Sequence, residues 1–191
     1  MISREFVKVP KERIAVVIGK HGEIKKYLEK ETKTKITVDS KTGEIVIEST
    51  SKTDDPLAVW KARDVILAIG RGFSPERAKR LLKDGQLIEI IDISYFTGRS
   101  KNSLRRVKGR IIGENGKTRK IIEETTGVSL SIYGRTVTLI GDYEWIRVAK
   151  KAIMMLIEGV PHGTVYKFLS KMRREYKRQK FSILKPVESS Q

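Results

Sequence analysis

The chain has 191 residues, a net charge of +17 and no cysteine. The lack of cysteine excludes disulfides, thiolate metal sites and a cysteine nucleophile, and no stretch approaches the roughly 20 apolar residues of a membrane span. The basic excess predicts a polyanionic partner, and nucleic acid is favoured over a membrane surface. The first residues show no signal-peptide pattern, so we expect a cytoplasmic protein.

The first part of the chain predicts the element order β-α-α-β-β-α. Alternating apolar residues indicate strands, apolar residues at helical spacing indicate helices, and Pro10 suits a first helical turn. The predicted elements are a strand at 5–10, helices at 10–18 and 23–33, strands at 35–39 and 44–49, and a helix at 54–69. In that last helix we expect four buried residues, Leu57, Trp60, Ile66 and Ile69.

The second part repeats this order. Its predicted elements are a strand at 87–94, helices at 103–112 and 117–126, a hairpin of strands at 128–133 and 136–140, and a helix at 143–158. Residues 95–100 look inserted. A further helix follows each copy, one starting at Ser74 and one spanning 164–179, and we expect both to pack across the two copies. Residues after about 181 are predicted to be a frayed tail.

Each copy contains a Gly-x-x-Gly loop between its first two helices, at Gly19–Gly22 and Gly113–Gly116. One shift of 94 positions superposes both loops and the helices that follow, which indicates a duplicated domain. Glycine permits a tight turn and a close ligand, and the helix start behind the second glycine suits a phosphate. This is the loop with which KH modules clamp about four nucleotides of single-stranded nucleic acid.

We therefore predict an α+β protein made of two tandem type I KH domains. Each domain would have a three-stranded sheet with helices on one face, and additional helices would pack on the pair. The predicted boundaries are 1–72 for the first KH domain, 73–86 for a connecting helix, 87–160 for the second KH domain, and 161–191 for a basic C-terminal helix and tail. Net charge is +4 over 1–72, zero over 73–98, +7 over 99–160 and +6 over 161–191. The later half should therefore contribute most of the electrostatic attraction.

The candidate RNA-binding residues surround the two loops. In the first copy they are Gly19, Lys20, His21, Gly22 and Lys25. In the second copy nine basic residues and one acid lie between Arg99 and Lys120, and the candidates are Lys101, Arg105, Arg106, Lys108, Arg110, Gly113, Glu114, Asn115, Gly116, Lys117, Arg119 and Lys120. Arg135, in the hairpin turn, either reaches RNA or is only a solvated turn residue.

Other side chains have open alternatives. Glu114 is a carboxylate where a phosphate would lie, so either it turns away or this loop grips less tightly. The candidates for an apolar groove floor, with a core position as the alternative, are Ile18, Val38, Ile112 and Ile132. The aromatic residues that either stack on bases or pack within the protein are Tyr95, Phe96 and Tyr133. The less basic first copy could contact protein instead of RNA.

No catalytic, metal-binding or cofactor pattern is recognisable. The run Gly116-Lys117-Thr118 suggests a nucleotide-binding P-loop, but that motif needs a glycine five residues before the Gly-Lys pair, and position 111 is isoleucine. His21 and His162 belong to no triad or metal set. We expect no enzymatic activity, no metal and no cofactor.

Four segments resemble the archaeal relatives of the eukaryotic pre-ribosomal factor Partner of Nob One. They are Ile18–Glu23, Ser103–Gly113, Gly116–Arg119 and Ser131–Val137, and the likeness extends over nearly the whole chain. The resemblance implies a tandem-KH protein of small-subunit ribosome assembly that binds single-stranded RNA at the 3′ end of the rRNA precursor. It also implies two protein partners, the Nob endonuclease and the alpha subunit of initiation factor two.

In one respect the chain departs from the eukaryotic members of that family. Those members have lost a functional first Gly-x-x-Gly loop, whereas Gly19 and Gly22 keep it here. RNA binding at two sites therefore stays open. The alternative function is a scaffold that docks a translation or ribosome-assembly factor, with RNA bound mainly by the second KH domain.

Overall fold

A computed structural model of the chain describes residues 3–98 and 100–183, with side chains up to residue 180. Arg99 and the end of the predicted tail, residues 184–191, lie outside the described part. None of the described helices is long and apolar enough to cross a bilayer.

The first copy has the predicted order of elements. They are β1 (Arg4–Lys8), α1 (Lys11–Ile18), α2 (Glu23–Thr32), β2 (Thr34–Val38), β3 (Glu44–Ser49) and α3 (Ala58–Gly70), and a single 3-10 turn (Lys20–Gly22) lies between α1 and α2. Helix α3 begins later than expected, because residues 56–57 form a turn in which the Asp55 carboxylate accepts from the Leu57 N–H.

The second copy repeats the order. Its elements are β4 (Gln86–Asp92), α5 (Ser94–Thr97), α6 (Lys101–Ile112), α7 (Lys117–Thr126), β5 (Ser129–Tyr133), β6 (Thr136–Asp142) and α8 (Tyr143–Ile157), again with a 3-10 turn (Glu114–Gly116) before the second long helix. The segment that looked inserted forms α5. Between the copies lie α4 (Pro75–Ala78) and a 3-10 turn (Lys79–Leu82), and the chain ends in α9 (His162–Ile183).

Each copy has one antiparallel three-stranded sheet, ordered β1-β3-β2 in the first and β4-β6-β5 in the second. The pairing Ile36↔Ile47 in the first sheet has its counterpart in Leu130↔Leu139 of the second, and all four side chains are buried. The predicted α+β class with two type I KH folds is therefore confirmed.

The described residues form two compact units. One contains residues 3–93 and the hairpin 129–143, so it holds the first copy together with the whole second sheet. The other contains residues 94–98, 100–128 and 144–183, which hold the helices of the second copy and α9.

In the first unit, the second sheet packs against the first copy. Ile140 of β6 belongs to the same buried cluster as Ile69 and Phe73 at the end of α3, and Ile88 of β4 packs on that cluster. Leu81, from the 3-10 turn after α4, lies in the cluster as well. The first added helix therefore packs across the two copies, as expected.

Gly72 lies where the two copies meet in this unit. A Cβ at this position would come within 2.8 Å of the Tyr133 Cβ and 2.9 Å of the Ser131 Oγ. The Ser131 hydroxyl donates to the Arg71 carbonyl at 3.0 Å. Gly72 has φ +94°, so a side chain there is opposed by both backbone conformation and space.

In the second unit, α9 packs on α7, and its Val165 and Leu169 are buried. This long helix therefore packs on its own copy. Two buried residues predicted for α3 are wrong: Leu57 and Trp60 are 48% and 46% exposed. Leu57 precedes the first residue of the helix, and the Trp60 indole N–H donates to the Glu5 carboxylate at 2.9 Å, which holds the ring at the surface.

Candidate nucleic-acid interface

The two Gly-x-x-Gly loops have the same backbone conformation. In Gly19–Gly22 and in Gly113–Gly116 the first glycine has φ +76° or +73° with ψ 173°, and the last glycine has φ +78°. The third residues, His21 and Asn115, both have a left-handed conformation, with φ 51° and 49°. Non-glycine residues rarely adopt this conformation. Its presence in both loops, at two different residue types, indicates that the loop and not the side chain determines the turn.

The two glycines of each loop have different structural roles. A Cβ at Gly19 would lie 2.5 Å from the Ile24 Cγ1, and one at Gly113 would lie 2.2 Å from the Thr118 Oγ1. The first glycine therefore lets the loop close onto the helix behind it. Beyond the immediate chain neighbours, no atom of the described residues lies within 4 Å of a Cβ added at Gly116, and at Gly22 only the Lys26 Cε does, at 3.7 Å. The second glycine leaves a free surface that a ligand backbone can approach.

Each loop opens directly into a helix, α2 or α7. The first N–H of each helix is bonded within the loop, that of Glu23 to the Lys20 carbonyl and that of Lys117 to the Glu114 carbonyl. Neither helix has a side-chain cap. Uncapped N–H groups and the positive end of the helix dipole favour an anion at this place, and a phosphate meets both requirements.

Helix α6 presents a row of cations that leads to the second loop. Lys101, Arg105 and Lys108 share one helical face by their i, i+4, i+7 spacing. Arg106 and Lys117, the latter directly after the loop, are exposed. Among the described residues none of these five side chains forms an ion pair. They are therefore available to an external polyanion.

Three predicted cations are engaged within their own helices. Lys25 pairs with Glu29 at 3.4 Å, and its counterpart Arg119 pairs with Glu123 at 3.4 Å. Lys120 and Glu124, both more exposed, are 3.8 Å apart. Such i,i+4 pairs contribute only about 0.3–0.5 kcal/mol each, so a phosphate could compete for these cations.

Arg110 differs from the other predicted cations because its guanidinium is used inside the fold. It is half-buried, and its Nε and Nη2 donate to the carbonyls of Leu156 and Val160 at 2.8 and 2.7 Å. In the first copy Arg13 does the same, donating to the carbonyls of Ile69 and Phe73 at 2.9 and 2.6 Å. Each arginine braces the end of the last helix of its own copy.

Sequence reasoning missed Arg13 as a brace, although a signal existed. The carbonyls that the two arginines bond are equivalent in the two copies, since both pairs are related by a shift of 87 positions. The arginines themselves are not aligned, because they lie one helical turn apart when the loops are superposed. A residue-by-residue comparison of the copies therefore hides the equivalence, and a search for arginine anywhere on the equivalent helix face would find it.

The remaining loop side chains, Lys20, His21, Glu114 and Asn115, are exposed. Glu114 forms no ion pair with a described cation. Across residues 3–98 and 100–183 no group of three or more metal-ligating side chains comes together.

Two family models match the chain, one on each copy. Residues 87–174 match a model described as a eukaryotic-type KH domain, KH-domain type I, that represents the second KH domain of PNO1. Residues 4–84 match the first KH domain of Krr1. A KH domain-containing protein of Methanocaldococcus jannaschii is 48% identical over 96% of this chain and 80% of the relative. An RNA-binding protein, pno1, of Dictyostelium discoideum is 31% identical over 84% of this chain and 67% of the relative.

The chain belongs to the PNO1 family of tandem-KH proteins. Among solved structures, a chain of the a/eIF2alpha-aDim2p-rRNA complex from Pyrococcus horikoshii is 56% identical, with a TM-score of 0.87 over 91% of this chain and 96% of that one. The resemblance inferred from the motifs is thus confirmed.

In this PNO1-family chain the sheet of the first copy has a free edge at β2. Strand β2 is an edge strand, and the Ile36 N–H points away from β3, because it donates to the Glu29 carboxylate at 2.8 Å. By strand alternation the Val38 N–H and C=O point to the same free edge. The four predicted floor residues, Ile18, Val38, Ile112 and Ile132, are all partly exposed, and Val38 also packs against the buried cluster of the first copy.

The predicted aromatic residues of this PNO1-family chain have different environments. Tyr95 and Phe96, in α5, are 86% and 50% exposed. Tyr133 instead packs in the first unit, where its hydroxyl donates to the Glu12 carboxylate at 2.6 Å. That hydrogen bond lowers the pKa of Glu12 and raises the pKa of Tyr133. Arg135 is exposed in the β5–β6 turn, and its carbonyl accepts from the Ile93 N–H at 2.9 Å.

Proposed function

We propose that this PNO1-family protein binds single-stranded RNA at the 3′ region of the small-subunit rRNA during ribosome assembly, and that its second KH domain makes the main contact. One observation carries the proposal. The loop Gly113–Gly116 has a free surface at Gly116, and the unpaired cations Lys101, Arg105 and Lys108 approach the same loop along α6.

The chemistry of this site suits the sugar-phosphate backbone. The uncapped N-terminus of α7 receives a phosphate, and the cations add sequence-independent attraction. Partly exposed Ile112, directly before this loop, would contact unpaired bases, since KH modules take single-stranded nucleotides. The RNA-binding residues proposed from the sequence remain the candidates, except that the guanidinium of Arg110 acts chiefly in the fold.

The family supplies the biological setting. A related protein crystallised as part of an a/eIF2alpha-aDim2p-rRNA complex, so we propose the alpha subunit of initiation factor two as a protein partner here. The Nob endonuclease is proposed as a second partner on the family resemblance alone. We assign the chain a holding role without catalysis, in the cytoplasm, and propose KH domains at 1–72 and 87–160. The chain spans 80% and 67% of the two relatives described.

Fluorescence anisotropy with labelled RNA tests the RNA-binding function. We expect a single strand copied from the 3′ end of the small-subunit rRNA to bind more tightly than the same sequence held in a duplex. We also expect affinity to fall steeply as salt rises, because released counterions drive phosphate binding. Equal binding of strand and duplex would contradict recognition through a KH groove.

Co-purification after nuclease treatment tests the protein partner. A direct contact with the alpha subunit of initiation factor two survives removal of the RNA, whereas an RNA-bridged association does not. Crosslinking in cells with sequencing of the attached RNA tests the biological target. Reads scattered over messenger RNAs would overturn the ribosomal assignment and leave only a general KH protein.

A further inference from the structure

The exposed surface of α9 is almost uniformly basic. Between residues 162 and 180 the helix has a single acid, Glu175, which is 3.8 Å from Lys171. The remaining cations of this stretch are exposed and form no ion pair with any described carboxylate; they are Lys167, Arg173, Arg174, Lys177, Arg178 and Lys180. A solvated helix face usually mixes signs to form i,i+4 pairs, so this face is built for an external anion.

The start of α9 is bonded to the elements that flank the second Gly-x-x-Gly loop. The Tyr166 hydroxyl and the Thr118 Oγ1 are 2.7 Å apart, and Thr118 is the residue onto which Gly113 closes. The His162 Nε2 lies 2.9 Å from the Arg110 carbonyl. The proposed RNA clamp and the basic helix are therefore held together in one unit of the fold.

Basic side chains follow Tyr166 on the same face of α9. Arg173 and Lys177 lie seven and eleven residues further on, on the same helical stripe as Tyr166. With Thr125 near the end of α7 they line an open groove of about 640 Å³ that has no acid in its lining. At a rise of about 1.5 Å per residue, this stripe extends about 16 Å beyond Tyr166.

An aromatic pair lies at the far end of the same surface. Trp145 and Tyr176 meet edge to face, with ring centroids 4.9 Å apart, and Tyr176 is 37% exposed. A second groove, lined by both rings, shares Thr125, Arg173 and Lys177 with the first. Cations on a groove beside an exposed ring are the composition of sequence-tolerant single-strand sites.

We infer that the α7–α9 groove is a second contact for the same RNA, and that it takes the phosphate backbone of nucleotides flanking those held by the second Gly-x-x-Gly loop. This inference rests on the proposed function, since it extends the strand that the second KH domain binds. Charge complementarity and continuity with the clamp through Thr118 and Tyr166 select RNA as the occupant. The groove adds length and affinity, whereas base selection stays with the KH groove.

The test compares two unstructured RNAs on the full-length protein. One has about five nucleotides, just over the four that a KH loop clamps, and the other about twelve, within the range of extended single-strand sites. We expect the double variant Arg173→Glu, Lys177→Glu to weaken binding of the longer RNA by about tenfold and to reduce its log–log salt slope by about 1.4, since each lost single-strand phosphate contact removes about 0.7. Binding of the shorter RNA should change less than about twofold.

A control variant with the same change of net charge has its two substitutions outside the α7–α9 groove. Lys52 and Lys83 are exposed, form no ion pair with a described residue and lie in the other unit. Lys52→Glu with Lys83→Glu should leave both RNAs close to wild type. The milder pair Arg173→Gln, Lys177→Gln removes the same two contacts, so it should reduce the salt slope by about as much and weaken binding less, because it adds no repulsive charge. Circular dichroism checks that helix content is kept.

Each outcome separates the groove from the clamp. If Arg173→Glu, Lys177→Glu binds the longer RNA like wild type, the groove is not a contact, and the proposed function stands. If both RNAs are weakened equally, α9 acts at the clamp itself and the extension is overturned. If wild type binds neither RNA, the proposed function fails together with the inference. A control variant that weakens the longer RNA as much would reduce the effect to net charge and also overturn the inference.

Discussion

The two Gly-x-x-Gly loops share a backbone and differ in their charge. Their glycine and third-residue dihedrals agree within a few degrees, yet the helix before the second loop carries the unpaired row Lys101, Arg105 and Lys108, whereas Glu12 lies on the helix before the first. The comparison teaches that the geometry of the clamp is independent of its attraction for an anion. After duplication, a domain can keep the geometry of the loop while the charges around it change.

The largest effect expected from this comparison concerns stability and should be equal in the two copies. Gly113→Ala places a Cβ 2.2 Å from the Thr118 Oγ1, at φ +73°. With ψ 173° this backbone conformation is essentially restricted to glycine, and strain of about 1–3 kcal/mol with overpacking of about 1–3 kcal/mol should cost about 4 kcal/mol together. Gly19→Ala should cost the same. Gly116→Ala, which meets no atom, should cost only about 1 kcal/mol.

Urea denaturation followed by circular dichroism measures these differences. Equal losses for Gly113→Ala and Gly116→Ala would contradict the separate roles assigned to the two glycines of a loop.

The next effect concerns RNA binding and should differ between the copies. Gly116→Asp puts a carboxylate at the phosphate position of the more basic copy, so we expect at least about tenfold weaker binding of single-stranded RNA. Gly22→Asp in the first copy should weaken it by less than about threefold. Gly116→Asn and Gly22→Asn are matched controls, because asparagine has the same size, tolerates a left-handed conformation and adds no charge. A larger loss from Gly22→Asp would reverse the assignment of the main site.

A smaller effect comes from exchanging the residue after the first glycine. Lys20 and Glu114 occupy equivalent positions in the two loops. Glu114→Lys should tighten RNA binding by about three- to tenfold at low salt, with the gain shrinking as salt screens the exposed charge. Lys20→Glu, measured in parallel by anisotropy, should weaken binding only slightly. Unchanged affinity in Glu114→Lys would mean that this side chain points away from the bound strand.

The smallest effect concerns the hydrogen bond between Tyr133 and Glu12. Its lowered pKa makes Glu12 stabilising above its ordinary value of 4.5, and this stabilisation disappears as pH falls through the lowered pKa. The raised pKa of Tyr133 makes it stabilising below its ordinary value of 10.0, with loss at higher pH. Tyr133→Phe should therefore be less stable than wild type between about pH 5 and 9, and the two curves should converge in acid. Thermal midpoints across pH check this, and a gap that does not narrow as pH falls below 4.5 would rule out the hydrogen bond as its cause.

Local patterns predicted most of the fold. The strand Glu44–Ser49 and the helix Lys117–Thr126 have the predicted bounds, because apolar spacing and the flanking turns determine both. The exposure of Leu57 and Trp60 was not predictable from helical spacing alone, since a late helix start and a hydrogen bond to Glu5 place them at the surface. Contacts distant in sequence leave no local pattern.

The site was predictable to a similar degree. The glycines and the basic row belong to one contiguous stretch, so their grouping follows from the chain itself. The bracing role of Arg110 depends on carbonyls 46 and 50 residues away, so within its own copy no local pattern distinguishes it from the exposed arginines beside it. The pairing of Tyr133 with Glu12 spans 121 residues and was equally invisible.

The second sheet is the feature with the widest practical consequence. Its strand β6 is buried from Thr136 to Gly141, whereas the matching strand β3 alternates between buried and accessible residues. If the two repeats were expressed separately, Ile88 and Ile140 would lose their contacts with the first copy and become exposed. The later half, expressed by itself, should therefore aggregate. The earlier half would lose the side chains that the second sheet contributes to its hydrophobic cluster.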